Sequence, residues 1–467
     1  MLGIQLDKLN TRSQTIVLAS ACALALSYSK ASYSQAPYSQ EPYSHASSVQ
    51  AQAGDAESAA SDSVSASTST MILDMRTTPD MAPAPAAEES PRIREYETAI
   101  ESVEGEYGAY APSLTEQLLG LGSVLQQENR HAEAANVFKR GVHLARINGG
   151  LYNGEQIQLL RGEIRSRRAL GQYDDVDNRQ RYLYRVERRA LRHSEESAYA
   201  LLDQAEWQRE AYIQAVGGEE NRIGRLRMMW DLYHQSLTEM ISYFGDQSLE
   251  LRKPLVGMIK AQYLIAGYQQ YMPGKPTTAA DSPYVQMTDA AFRKGESVLT
   301  ALFELSVVNQ APPLQTVKEK LALADWAWWF GKRSEAEIYY AEASRYAIES
   351  EDTLAGAFLE DALRQPQPLP TIDGMEPIPA PYWDDRGALV VSFSISDTGR
   401  VMDLERVGEP EVEKEEAKDI NRLLRALRRT RFRPMFTDGL PIASETIIWS
   451  WSPSAWSPQP LELTRIN

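Results

Sequence analysis

The spacing of apolar residues along this chain changes three times. Residues 16–26 form one continuous apolar run behind Lys8 and Arg12. Residues 27–90 offer few aliphatic side chains to bury. From residue 93 to 364 apolar positions recur three and four residues apart, which predicts helices with one buried face. From residue 389 the period drops to two. Leu389, Val391, Phe393 and Ile395 alternate with polar or smaller residues, which predicts a strand. Asp397-Thr398-Gly399 predicts a turn, with Gly399 free to take a positive φ. Residues 401–407 then return as a second strand, completing a hairpin. Residues 411–429 read as a helix whose stripe is Ala417, Ile420, Leu423, Leu424 and Leu427. Residues 431–436 and 443–452 read as two more strands, joined through a turn at Asp438-Gly439. The expected fold is multidomain: a long α-helical region, then a small α+β domain in ββαββ order.

Within the helical region one spacing repeats. Leu118, Leu121, Gly122, Leu125, Ala134 and Phe138 place small residues where two antiparallel helices cross, and large ones around the crossing. The spacing returns at Leu323, Ala324, Ala327, Gly331, Ala336, Tyr340 and Ala343. Residues 159–170, followed by Gly171-Gln172-Tyr173, read as a degenerate copy. This pattern resembles the tetratricopeptide repeat. The resemblance implies a right-handed helical solenoid with a concave, peptide-binding face. The helices between the copies are longer than a repeat of about 34 residues allows, so irregular members are expected. The alternative is a helical bundle without repeats.

The C-terminal order resembles the C-terminal domain of the TonB family of periplasmic energy transducers. The matching pieces are Gly387 with the strand after it, DTGRV at 397–401, RFRP at 431–434 and DGLP at 438–441. They cover about a fifth of the chain, residues 381–452. The stretch before the first strand, 383–386, is shorter than the family's. In that family an exposed edge strand captures an extended segment of an outer-membrane receptor, a recognition mode in which main-chain hydrogen bonds supply affinity. The matching residues here are Glu445, Thr446, Ile447, Ile448, Trp449, Ser450 and Trp451. Ile447, Trp449 and Trp451 share one face of that strand. The alternative is that the strand only completes the sheet and the tail 453–467 covers its edge.

The apolar run at 16–26 is about half the length that spans a bilayer. It reads as a secretory signal peptide, residues 1–31, cleaved near Ala31. A protein so exported lacks the spanning anchor of a TonB transducer, so energy transduction does not carry over. Cys22 follows Ala19-Ser20-Ala21 and is the only cysteine. It is a candidate lipidation site; otherwise it is discarded with the leader. Tyr28, Tyr33, Tyr38 and Tyr43 mark a five-residue repeat over 27–46, and residues 32–92 read as a disordered low-complexity tether. Six prolines between 366 and 381 predict an extended linker over 365–381. It separates the helical domain, 93–364, from the TonB-like domain, 382–467. With 467 residues and 43% hydrophobic content the chain can bury two independent cores.

The net charge of −16 and pI of about 5.0 argue against general nucleic-acid binding. Arg179, Arg181, Arg185, Arg188, Arg189 and Arg192 crowd one helix near Arg165, Arg167 and Arg168. They read as a solvated face balanced by Asp174, Asp175, Asp177 and Glu187; the alternative is a phosphate site. On the last helix, acids at 411–416 and bases at 422–429 complement the helix dipole. Catalytic signatures are absent: there is no HExxH, GxSxG or CxxC, and the five histidines are scattered. Asp384-Asp385 is an adjacent pair in a loop, weak ground for acid–base work. Trp326, Trp328 and Trp329 fit core packing better than sugar stacking. No cofactor or metal is expected. The reading is a non-enzymatic adaptor of a Gram-negative cell envelope, periplasmic, binding proteins or peptides and auxiliary to TonB-dependent transport. Its membrane contact would come only through a lipid on Cys22. The alternatives are a structural or peptidoglycan-binding scaffold and, last, an envelope hydrolase.

Overall fold

A computed structural model describes residues 90–218, 221–269, 290–381, 389–408 and 414–451. Cys22, the leader, the tyrosine repeats, Asp384-Asp385 and the tail after residue 451 lie outside the described residues. The protein is mostly helical, with thirteen α-helices among the described residues and a small C-terminal sheet region. The first six helices are α1 (Pro91–Tyr107), α2 (Leu114–Gln127), α3 (His131–Gly149), α4 (Gln156–Ala169), α5 (Tyr173–Ala190) and α6 (Glu195–Ile213). Six more follow: α7 (Arg222–Phe244), α8 (Arg252–Gln269), α9 (Ala291–Val308), α10 (Pro313–Trp329), α11 (Arg333–Glu349) and α12 (Thr353–Arg364). The first eleven pack chiefly on their neighbours in sequence, and α12 packs on α10 as well as on α11.

Three connections in this region are the same turn. Asn129 ends α2 at φ 59°, Gly171 ends α4 at φ 69° and Gly331 ends α10 at φ 74°. The next residues, Arg130, Gln172 and Lys332, have φ of −82°, −82° and −80° and ψ of 55°, 59° and 66°. Their N–H groups donate back to the carbonyls of Leu125, Arg167 and Ala327 at 2.9, 3.0 and 2.9 Å. A left-handed residue followed by this long hydrogen bond is a Schellman stop, and it satisfies carbonyls that a helix end leaves bare. The pairs α2–α3, α4–α5 and α10–α11 thus share one turn, and the same kind of stop ends α6 at Ala215 and α9 at Gln310. In the first pair the small residue works as its spacing suggests. A Cβ on Gly122 would lie 2.5 Å from the Phe138 ring, and one on Gly162 of α4 would lie 2.6 Å from it. Any side chain at either position would push that ring out of its slot.

Two apolar cores run through the helices. The first joins α1 to α6, from Ile93 to Val216. The second joins α6 to α12, from Ala198 to Leu359. Helix α6 serves both: Trp207 and Ala211 belong to the first, Leu201 and Ala205 to the second. The second core also takes in Leu369 and Met375 from the proline-rich segment. That segment turns at Gly374 and is no free spacer. It begins with strand β1 (Gln367–Pro368), and Leu369, Met375 and Ile378 are all buried.

The C-terminal region contains β2 (Leu389–Ile395), β3 (Val401–Arg406), helix α13 (Lys414–Arg429), β4 (Phe432–Arg433), β5 (Met435–Thr437), β6 (Leu440–Ile442) and β7 (Ile447–Trp451). Leu389, Val391, Phe393 and Ile395 are at most 1% exposed, so the period-two run faces inward as its alternation requires. They meet Ile420, Leu423, Leu424 and Leu427 of α13 in a third core. The part after α13 departs from the expected two strands. Pro434 supplies no N–H, and the run 431–436 divides there. β4 leaves the main sheet and pairs antiparallel with β1, Gln367 opposite Arg433. Asp438-Gly439 joins β5 to β6, not to β7. Both turn residues have positive φ, 52° and 77°, the geometry that two-residue hairpin loops favour.

Candidate functional site at the open edge of the C-terminal sheet

The main sheet has three strands in the order β3-β2-β7. The central strand, β2, is antiparallel to both neighbours. Strand β7 therefore lies at an edge, with nothing paired on its far side among the described residues. Its register sets Ile447 opposite Phe393, Trp449 opposite Val391 and Trp451 opposite Leu389. These three point toward α13, on the face the alternation assigns them. Trp449 meets Phe393 edge-on at 5.1 Å between centroids and Trp451 at 5.8 Å. The Trp451 indole N–H donates to the Pro379 carbonyl at 2.9 Å. On the other face Ile448 is 54% exposed while Ser450 is buried. Glu445 and Thr446 are exposed and precede the strand. Ser444 anchors the entry: its N–H donates to the Ile395 carbonyl, and its Oγ accepts from the Ile395 N–H, both at 2.8 Å. An edge strand offers a row of unused N–H and C=O groups. Here the row is anchored by the buried Trp451 and the partly buried Trp449, and carries one exposed isoleucine.

The sheet is also fixed in direction, because the C-terminal region is seated on α10 through a buried network. Arg433, 2% exposed, donates from Nε to Asp325 Oδ1 at 2.8 Å and from Nη2 to Oδ2 at 2.9 Å. Its Nη1 donates to the Ala362 carbonyl at 2.8 Å. Asp325 accepts further bonds from the Tyr340 hydroxyl at 2.8 Å and the Thr371 hydroxyl at 3.1 Å. Burial alone would lower the Arg433 pKa, but Asp325 and Tyr340 outweigh it and the net shift is upward. Beside this pair, the Trp328 indole N–H donates to the Phe432 carbonyl at 2.9 Å. The Phe432 N–H donates to the Gly399 carbonyl at 2.9 Å, and the Leu369 N–H to the Arg431 carbonyl at 2.8 Å. The motif pieces at 397–401 and 431–434 thus meet each other and the last helical hairpin at one point. No family model and no curated protein matches the chain.

Arg179, Arg181 and Arg188 of the arginine-rich helix are paired with acids within the fold. Arg167 and Arg179 both donate from Nε to the buried Glu163, at 2.9 and 3.0 Å. Arg181 pairs with Asp177, which also accepts from Arg225 and Trp207 at 3.0 Å each. Arg188 donates to Glu239 at 2.9 Å, and Arg168 pairs with Glu210. Arg185 and Arg189 lie over the rings of Tyr182 and Tyr152. The balancing acids differ in part from those nearest in sequence: Glu187 pairs with Arg161 of α4 at 2.9 Å.

Glu187 is 1% exposed, and its second oxygen has no hydrogen-bond partner. Burial pushes its carboxyl up to about 7, against the pull of Arg161. The folded state then holds a proton that the unfolded state releases near the ordinary pKa of 4.5. Stability conferred by protonated Glu187 is complete below that value and is lost as pH rises toward 7. Glu187→Gln removes this dependence. Urea unfolding at pH 5 and pH 7 should show the variant gaining more than about 1 kcal/mol on wild type across the interval. Equal slopes for the two proteins would contradict the assignment.

The tryptophans at 326, 328 and 329 are buried, at 0%, 4% and 3% exposed. Trp326 and Trp329 pack edge-on against Tyr263 at 4.6 and 5.2 Å. Among the described residues no three His, Cys, Asp or Glu side chains gather as a metal site, and no helix is long and apolar enough to cross a membrane. Asp325 and Trp328 escaped sequence reasoning as a docking pair. The signal was present, since Asp325 is a carboxylate inside the otherwise apolar run LALADWAWW.

Proposed function

We propose that this protein is a non-enzymatic, exported adaptor of a Gram-negative envelope, with a TonB-like sheet that receives an extended polypeptide segment on β7. The observation that carries the reading is the strand order, which leaves β7 at an edge with Ile448 exposed between the inward Ile447 and Trp449. The turn shared by three helical hairpins supports a tetratricopeptide-like reading of the helical region, a scaffold whose concave face binds a second partner. The periplasmic compartment and the candidate lipid on Cys22 rest on the leader alone. The partner class that fits β7 is an extended segment of an outer-membrane transporter, so the protein would assist TonB-dependent transport.

The test uses the whole chain, because the sheet is seated on α10. Hydrogen exchange of the β7 amides is followed with and without peptides from periplasmic segments of outer-membrane receptors. Saturable protection centred on 447–451 is expected. Ile448→Lys, which places a charge on the open face, should weaken binding about tenfold, on the order of 1.4 kcal/mol. Its effect on folding should stay within about 0.5 kcal/mol, as for other exposed positions. No protection at millimolar peptide would remove strand capture and leave a structural or wall-binding role.

A further inference from the structure

One segment of the chain lies across the helical region as a bound peptide would. Helices α6, α8 and α10 stand side by side. Tyr212 of α6 meets Tyr268 of α8 edge-on at 6.5 Å between centroids, and Tyr263 of α8 meets Trp326 and Trp329 of α10. These helices therefore close directly on one another. Residues 371–376, from beyond α12, run over all three. The Thr371 hydroxyl donates to Asp325 Oδ2 of α10 at 3.1 Å. Arg209 of α6 donates from Nη2 to the Gly374 carbonyl at 2.8 Å. A Cβ on Gly374 would lie 3.9 Å from Lys260 Nζ of α8.

The segment is built like a ligand with one anchor. Met375 is 0% exposed and belongs to the second helical core, with Ile372 packed beside it. Thr371, Asp373 and Glu376 are exposed, so only one side of the segment meets the helices. Its turn is made from its own atoms. The Met375 N–H donates to the Ile372 carbonyl at 2.9 Å, the Gly374 N–H to Glu376 Oε1 at 2.8 Å, and Gly374 takes φ +74°. The polar match to the helices is incomplete. Arg209 Nε is buried and has no acceptor among the described residues. One carbonyl thus fills half of a fork that can hold two acceptors.

The same face of α6 continues toward α4. Arg209 reaches Glu206 at 3.5 Å, and Asp203 and Glu210, three and four residues from Glu206, share its ridge. There the ion pairs Arg161–Asp203 and Arg168–Glu210 join α4 to α6. We propose that residues 371–376 are a built-in ligand. They fill in cis a groove over α6, α8 and α10 that takes, in trans, a partner's turn-forming segment with an apolar side chain in place of Met375 and a hydroxyl in place of Thr371. The proposal rests on the reading that the helical region binds a polypeptide, and it adds a regulation: the partner must displace the chain's own segment. Both ends of that segment are tied to the C-terminal region, through the Leu369 N–H on the Arg431 carbonyl and through Ile378 in the third core. A competitor on so short a tether acts at an effective concentration of about millimolar order.

A fluorescein-labelled peptide of residues 369–378, LPTIDGMEPI, tests this by anisotropy on the whole chain. Gly374→Ala strains the cis turn, because an L-residue disfavours that φ, and leaves the helices as they are. It should bind the peptide about tenfold more tightly than wild type, since apparent affinity scales with the fraction of grooves that are free. Met375→Ala, which removes the anchor, should do the same by a second route, and far-UV circular dichroism checks both folds. Adding Arg209→Ala to Gly374→Ala should abolish most of the gain, and a labelled peptide carrying Met375→Ala should bind about tenfold more weakly. Equal affinity of wild type and Gly374→Ala, or no binding to either, overturns the proposal and makes the segment a fixed strap. So does a gain that Arg209→Ala leaves untouched. Ile448→Lys should bind this peptide like wild type, so failure of strand capture at β7 and failure of this groove are read separately.

Discussion

Asp325→Ala should destabilise the protein by about 3–5 kcal/mol, the cost of leaving a buried charge without its partner. Arg433 is 2% exposed and cannot reach water by a rotamer change alone. Its guanidinium would keep one bond, to the Ala362 carbonyl at 2.8 Å, and lose both to Asp325. Tyr340 and Thr371 would lose their acceptor as well. Because Arg433 lies in the C-terminal region and Asp325 in α10, the loss falls on the joint between them. Urea unfolding followed by circular dichroism and by tryptophan fluorescence should show a lower midpoint, with the two signals no longer coincident. The paired variant Asp325→Leu, Arg433→Met should recover much of the loss, since an apolar pair of similar volume removes the unpaired charge. A loss under about 1 kcal/mol in Asp325→Ala would mean that the pair is solvated and the joint loose.

Gly399→Ala should cost about 2–5 kcal/mol, from two sources that add. Gly399 has φ +74°, a conformation that costs an L-residue roughly 1–2 kcal/mol. A Cβ there would also collide with the Phe432 carbonyl oxygen, which is backbone and cannot rotate away. Relieving such an overlap typically costs about 1–3 kcal/mol. That same carbonyl accepts from the Trp328 indole, so the shift would reach the helical region. Gly439→Ala is the control: its φ is +77°, and nothing lies within 4 Å of the added Cβ. It should show the backbone cost alone. Equal losses in the two variants would exclude the steric account of Gly399.

The legible parts of this fold are those written as a local period. The alternation from Leu389 to Ile395 and the stripe Ile420, Leu423, Leu424, Leu427 each name a buried face, and each is buried. Turn chemistry was legible for the same reason: Gly399 and Gly439 both hold positive φ where the turns were expected. The strand assignment over 431–436 failed at Pro434. There a missing N–H outweighed the strand-like pattern, and the partner of β4 proved to be the proline-rich segment. The edge position of β7 could not be read from its own residues. Ile447, Trp449 and Trp451 would face inward whether the strand were central or at an edge.

The sequence by itself determined the helical region, the inward faces of β2 and α13, the conformations of the tight turns and the acidity of the chain. These follow from interactions within about ten residues: side-chain period, proline and glycine stereochemistry, and charge count. Only the tertiary structure decided that β7 lies at an edge, that the proline-rich segment is buried, and that Arg433 finds Asp325 across 108 residues. It also decided which acids the arginines of α5 meet: Arg179 finds Glu163 of α4 and Arg188 finds Glu239 of α7. Such pairings depend on which surfaces the chain brings together, and burial then makes each match or mismatch costly.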